Sequence, residues 1–290
     1  MIGILSAFGA ATSWTFACFI WRSQTQKYKS IDINLIKNII AFVVFIPALI
    51  NLFPATELKY IFILLISGII GIGLGDTFYL KSLQTIGTRK TLSIETLSPL
   101  MAALSGEIFI NENLTPKSWI GIIIVSISLF IILKKENDFK HANLHFSEKN
   151  SFKIFTFPFL SVLCAVIGGL FSRMVFLQSN LSPLLTTEIR LLGAIIFLIT
   201  LKGFKLNFFL KNMEKKQQKR FLLSILLGTN LGILLQQIVF KSLPIGIGWA
   251  LLSTSPVISL LFAKNEEREI TKKIIFFTCF LFLGLTLIIL

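Results

Sequence analysis

The chain has 290 residues, of which 54% are hydrophobic and 14% charged, with 29 phenylalanines and a mean hydropathy of +0.81. This excludes a water-soluble domain: nearly uncharged apolar stretches of roughly 17 to 25 residues recur from end to end, the length an α-helix needs to cross about 30 Å of hydrocarbon. The net charge of +14 does not point to nucleic acid, because the basic residues fall in short connections between apolar stretches, where membrane topology accounts for them.

Hydropathy predicts about ten spans, near 2–21, 35–53, 60–83, 90–110, 117–133, 153–177, 183–201, 221–241, 246–263 and 272–290. The first lacks a basic leader and is read as a span rather than a cleaved signal peptide. Ala7, Ala11, Trp14 and Cys18 recur on it at helical spacing, either for close helix packing or as a small-residue stripe around one aromatic. The third contains "GIIGIGLGDTFYLKSL" (Gly68 to Leu83), an apolar run with clustered glycines and one aspartate. No alternation of strands and helices surrounds it, so a dinucleotide fingerprint is excluded. In a membrane, glycines let backbones approach or unwind. A carboxylate at that depth costs on the order of 2.5 to 3.5 kcal/mol on insertion scales. Asp76 therefore faces a cavity, or else lies nearer an interface and pairs with Lys81.

On the fourth span Glu95, Ser98, Pro99 and Ala102 share one small, polar face. The sixth carries Arg173, which either snorkels or faces a cavity, and on the seventh Glu188 and Arg190 mark the interfacial end. On the eighth, Asn230, Leu234, Gln237 and Lys241 form a stripe with Gln236 beside it. The ninth presents Trp249, Ser253 and Pro256, with Trp249 as an interfacial anchor or a pocket wall. Cys18, Cys164 and Cys279 stand in separate apolar segments without CxxC spacing, so no disulfide framework or zinc site is expected. His141 and His145 lack a third ligand, and no HExxH or GxSxG motif occurs.

The sequence divides into two similar halves, 1–133 and 153–290, joined by a polar linker, 134–152. "KSLQTIG" (81–87) recurs as "KSLPIGIG" (241–248), and "TLSPLMAALSGEIFINENLT" (96–115) as "STSPVISLLFAKNEEREIT" (253–271), with Pro99 and Pro256 in matching places. Lysine and arginine crowd the odd-numbered connections, Lys37 counted with the first and Lys81 with the third, which places those connections in the cytoplasm and both termini away from it. Five spans per half then make the second half an inverted copy of the first.

These residues resemble the ten-helix EamA-type members of the drug/metabolite transporter superfamily over essentially the whole chain. The matching pattern runs from "AATSW" (10–14) through "FYLKSL" (78–83) to "TLSPLMAALSGEIFINENLTPKSWIG" (96–121); the second half departs from it, with Ala263 and Lys264 at the Gly-Glu position and the acidic residues displaced to Glu266 and Glu267. The resemblance implies an all-α integral membrane protein of two inverted five-helix repeats, working by alternating access around a cavity lined by spans 1, 3, 4, 6, 8 and 9. The expected activity is secondary-active export of a small amphipathic or zwitterionic metabolite across the cytoplasmic membrane. Trp14, Tyr79 and Trp249 would stack on the solute, Gln236, Gln237 and Ser253 would hydrogen-bond it, and Arg173 and Glu95 would pair its charged ends. Asp76 or Glu95 would couple protons, and Pro99 and Pro256 would act as gates. A flippase for a lipid-linked headgroup is the alternative, ahead of a transport-inactive scaffold or sensor. The chain offers no nucleophile paired with a base, so no enzyme is expected, nor any cofactor or metal. The expected partners are the solute and the lipid bilayer, with a homodimer left open and no nucleic acid.

Overall fold

The computed structural model describes residues 1–47, 57–136, 151–203, 209–260 and 272–289. In hydrocarbon every backbone N–H and C=O needs an internal partner, and helices supply it within one segment. The described residues accordingly form ten helical rods. These are α1 (Ile2–Thr25), α2 (Ser30–Phe45), α3 (Leu58–Thr85), α4 in two pieces (Gly87–Glu95 and Ser98–Ile110), α5 (Pro116–Glu136), α6 (Ser151–Gln178), α7 (Pro183–Lys202), α8 (Lys215–Ser242), α9 in two pieces (Ile245–Leu252 and Ser255–Leu260) and α10 (Lys272–Ile289). Gly87, at φ 78°, lets the chain reverse from α3 into α4, a left-handed conformation that costs glycine least.

Large apolar side chains face outward, among them Leu5, Phe62, Ile108, Phe130, Ile196 and Phe276. In water this surface would aggregate; against lipid it is the expected exterior. Small residues face inward and let rods touch. The Cα of Gly168 on α6 sits against Gly71 on α3, and Ser67 Oγ donates to the Gly168 carbonyl at 2.7 Å. A Cβ at Gly68 would collide with the Arg190 carbonyl of α7, and one at Gly193 with the Leu65 carbonyl of α3.

The two halves are built on one plan. Both α3 and α8 contain a π-helical stretch, Ile69–Gly75 and Ile225–Leu231, near their centres. Both α4 and α9 break just before a Ser-Pro pair, Ser98-Pro99 and Ser255-Pro256. The proline supplies no N–H to the carbonyl four residues earlier, so the helix stops and restarts. Packing between the halves repeats in the same way: α1 lies on α8 as α6 lies on α3, while α2 meets α7, α4 meets α9 and α5 meets α10. With five rods in each half, the second is upside down relative to the first.

The spacing from Pro99 to Pro256 also separates the starts of α3 and α8, Leu58 and Lys215, and their ends, Thr85 and Ser242. The Lys-Ser-Leu likeness of 81–83 with 241–243 is out of this register by about one helical turn, so Lys81 and Lys241 are not equivalent. Hydropathy also started the second span too late. Asp32, Asn34, Lys37 and Asn38 lie inside α2 and are buried. They are tolerated because each has a partner: Asp32 pairs with Lys202 of α7, Asn34 Nδ2 donates to the Ile72 carbonyl of the α3 π stretch at 2.9 Å, Asn38 Nδ2 donates to Asn34 Oδ1 at 3.1 Å, and Lys37 pairs with Asp76. Lys37 thus leaves the tally of connection charges. Most of the 134–152 linker, His141, His145 and the Ala263 to Glu267 stretch lie outside the described residues.

Candidate functional site

Between the halves lies a cavity that, with the open space at its mouth counted, measures about 980 Å³. It is walled by α1, α3, α4, α6, α8 and α9, with Leu129 of α5 and Arg190 of α7 added. Its walls come in matched pairs. On the spacing set by Pro99 and Pro256, Gly75 answers Gly232, Asp76 answers Ile233, and Tyr79 answers Gln236; likewise Leu92 answers Trp249, Glu95 answers Leu252, and Thr96 answers Ser253. Gly71 packs on Gly168 and its counterpart Gly228 on Ala17, which makes Ala17 and Gly168 equivalent. Trp14 and Ala165 then correspond, and both line the cavity. Backbone positions are symmetric; side-chain chemistry is not.

The aromatic wall is anchored. Trp14 stands edge-on to Trp21 at 5.2 Å between centroids and tilted to Tyr79 at 5.8 Å, and the Tyr79 hydroxyl lies 2.9 Å from Cys18 Sγ. Trp249 leans on Phe240 at 5.9 Å. Ser253 and Gln236 also reach the cavity, whereas Gln237 is fully buried outside it, its amide atoms unpartnered. The π stretch Ile225–Leu231 shifts the phase of α8, so Asn230 and Gln237 do not share a cavity face. Asn230 instead donates to the Ala41 carbonyl of α2 at 3.0 Å. Pro99 is buried behind the cavity wall at the start of the second piece of α4; Pro256 holds the equivalent backbone position in α9.

Four charged side chains matter at the centre. Asp76, directly after the π stretch, is bound by Lys37 Nζ at 2.5 Å, and Lys37, 1% exposed, also lies over the Trp21 ring at 5.3 Å. Asp76 pairs with this lysine from α2, not with Lys81, which donates to Gln84. Glu95 ends the first piece of α4 beside the break, lines the cavity, and makes no ion pair among the described residues. Asp76 and Glu95 are near enough to repel.

The fourth, Arg190, was placed by sequence at an interfacial end. It is instead 2% exposed and lines the cavity, because α7 runs between α2, α3 and α8. Among the described residues its Nε and Nη1 have no hydrogen-bond partner, and Glu188, also buried, has none either.

Arg173 is taken out of the cavity. Its Nε donates to Glu112 Oε1 at 2.5 Å and its Nη1 to the carbonyls of Phe240 and Lys241, while Glu112 Oε2 accepts from the Ile245 N–H at 2.7 Å. The cluster ties α6, the α4–α5 connection and the α8–α9 turn together at the end of the bundle bearing the even-numbered connections. Among the described residues no set of three His, Cys, Asp or Glu side chains converges on a metal position.

The chain is thus a ten-rod bundle with two inverted halves around a central cavity of mixed polar and apolar lining. The EamA-like transporter family matches residues 1–134 and 152–290, and the chain belongs to that family. A protein of Archaeoglobus fulgidus named "Uncharacterized transporter" is 24% identical over 224 residues, 70% of this chain and 81% of that one. A crystal structure only 15% identical shares the fold, with a TM-score of 0.73 over 98% of this chain and 95% of the other. The protein is a multi-pass membrane transporter.

Proposed function

We propose that it is a secondary-active exporter of the cytoplasmic membrane, moving a small amphipathic solute with charged groups through the central cavity by alternating access. The observation that carries this reading is the cavity itself: it lies between the inverted halves, is walled by counterpart residues of both, and combines indole and phenol surfaces with charges that the protein leaves unpaired. Rocking one repeat against the other exposes such a site to each side in turn. Trp14, Tyr79 and Trp249 provide flat apolar contact, Gln236 and Ser253 hydrogen bonds, and Glu95 a charge for a cationic end or an exchanged proton. Asp76, held by Lys37, serves the cavity as half of an ion pair. The Ser-Pro breaks at Pro99 and Pro256 let α4 and α9 pivot at the cavity wall.

The Arg173–Glu112 cluster latches the even-connection end. With the basic odd connections in the cytoplasm, that end is the external one. Two five-helix domains, 1–133 and 153–290, joined by a linker at 134–152, belong to this reading, and the two family matches support it.

Counterflow in liposomes containing the purified protein tests this. Pools of radiolabelled amino acids, nucleosides and organic acids should exchange against internal unlabelled pools, and pH-driven accumulation should fall in Glu95→Gln. Movement of labelled lipid in place of soluble solute makes the protein a flippase; movement of neither makes it a scaffold.

A further inference from the structure

We propose that Arg190 is an anion-binding residue of the cavity, taking a carboxylate of the transported solute, and that Lys37 keeps it available by holding Asp76. This rests on the transport reading of the cavity and adds the class of ligand.

The argument starts from the repeat. Asn230 donates to the Ala41 carbonyl of α2, and its counterpart Gly73 lies against Ala194 of α7. Ala41 and Ala194 are therefore equivalent, and so are the residues one helical turn before them, Lys37 and Arg190. Each half thus sends one buried cation from its second helix toward the centre. Lys37 meets Asp76 at 2.5 Å. The counterpart of Asp76 is Ile233, so the second half keeps the cation and lacks the anion. Among the described residues none forms an ion pair with Arg190: Glu188, two residues away on the same helix, projects to another face, and Asp76 is already bound by Lys37.

A buried guanidinium with idle donors is costly, and an incoming anion removes that cost. Its planar fork matches a carboxylate in two parallel hydrogen bonds. The solute's anion is a single charge because Asp76 and Glu95 face the same cavity and would repel a phosphate dianion more strongly. Lys37 has a positioning role: without it, Asp76 would turn to Arg190 and occupy the fork.

Thermal unfolding of the purified protein in nanodiscs tests both parts, using sodium acetate, benzoate and 3-phenylpropanoate against chloride at equal ionic strength, with phenethylamine hydrochloride as the cationic control. At least one carboxylate should raise the midpoint saturably, phenethylamine should not reproduce that effect through Arg190, and Arg190→Gln should weaken the carboxylate response on the order of tenfold or more. Lys37→Met should also weaken it about tenfold, and Lys37→Met with Asp76→Asn should recover wild-type affinity within about threefold. If Lys37→Met does not fold, the double variant, which leaves no unpaired carboxylate at Asp76, carries the test alone. Equal responses in wild type and Arg190→Gln, a null response in both included, overturn the proposal; failure of the folded double variant to bind overturns the part assigned to Lys37. Saturable carboxylate binding without counterflow of that carboxylate keeps the Arg190 site and removes the transport reading instead.

Discussion

α3 and α8 loosen at the same place by the same device and then diverge. After its π stretch, α3 places Asp76 in the cavity, backed by Lys37, with Asn34 hydrogen-bonded to the loosened backbone; after its own, α8 places Ile233, and Asn230 turns away to α2. The repeat therefore sets where backbones run and where a cavity wall can form. Which residues carry charge is decided separately in each half. Under the proposed alternating access, the first property lets the halves exchange roles and the second lets the cavity recognise a solute that is not itself symmetric.

The largest expected effect concerns how closely the two halves pack. α3 meets α7 through Gly68 and Gly193, whose added Cβ atoms would overlap opposing carbonyls. At the counterpart positions stand Ile225 and Ile40, both in one apolar cluster. Gly193→Leu should give no monodisperse folded protein on size exclusion, since a backbone contact cannot yield as a side chain can. Ile225→Ala should fold, with a loss of about 2 to 4 kcal/mol from its cavity. A Gly193→Leu variant melting like the parent would show that the two junctions pack alike.

Next come the two equivalent cations. Lys37→Met breaks the buried pair and should cost stability, by less than the about 3 to 5 kcal/mol of a carboxylate left with no partner, because Asp76 can turn to Arg190. Arg190→Met removes a guanidinium that forms no ion pair among the described residues, and should leave stability unchanged or raise it while transport is lost, the trade-off expected where a site is held ready for a ligand. Unfolding midpoints of the two variants in one detergent make the comparison; equal losses would mean that Arg190 is structural.

Glu95 against Leu252 is a smaller contrast. Glu95→Gln keeps shape and, with no ion pair to break, should change stability by no more than about 1 kcal/mol. Its effect should be on transport. Loss of pH-driven accumulation with counterflow intact assigns Glu95 to proton exchange; loss of both assigns it to solute contact.

Much of this was legible in the sequence because membrane physics is strict. Apolar length predicted the rods, and the paired Ser-Pro breaks revealed the repeat. Trp14, Asp76, Tyr79, Glu95, Gln236, Trp249 and Ser253 were all singled out from sequence, and all line the one cavity. What sequence misjudged were charges near helix ends. Lys37 looked like a connection charge and Arg190 an interfacial one, because hydropathy registers depth only through neighbours along the chain, and the neighbours that bury them belong to other helices. Arg173, expected at the solute, lies outside the cavity lining because its partner, Glu112, lies in a connection. The usable signal for Arg190 was its place one turn before an alanine in the second helix of a repeat, as for Lys37, and that is readable only once the register is known.

The last contrast concerns the latch, whose effect is on conformation more than on stability. Glu112→Gln leaves Arg173 its two carbonyl acceptors but removes the opposing charge. Replacing a charge-assisted hydrogen bond by a neutral one should cost about 1 to 2 kcal/mol, too little to unfold the bundle yet enough to shift a conformational balance roughly tenfold. The cavity should then be open to the even-connection side for more of the time. Cysteines at Ser98 and Ser255, counterparts that both line the cavity, report this when Cys18, Cys164 and Cys279 are replaced. A membrane-impermeant thiol reagent applied from the even-connection side should label both sites faster in Glu112→Gln than in the parent, and saturating solute should change the rates at both. Unchanged labelling at both positions would mean that the Arg173 cluster braces a static end of the bundle and that the gate lies elsewhere.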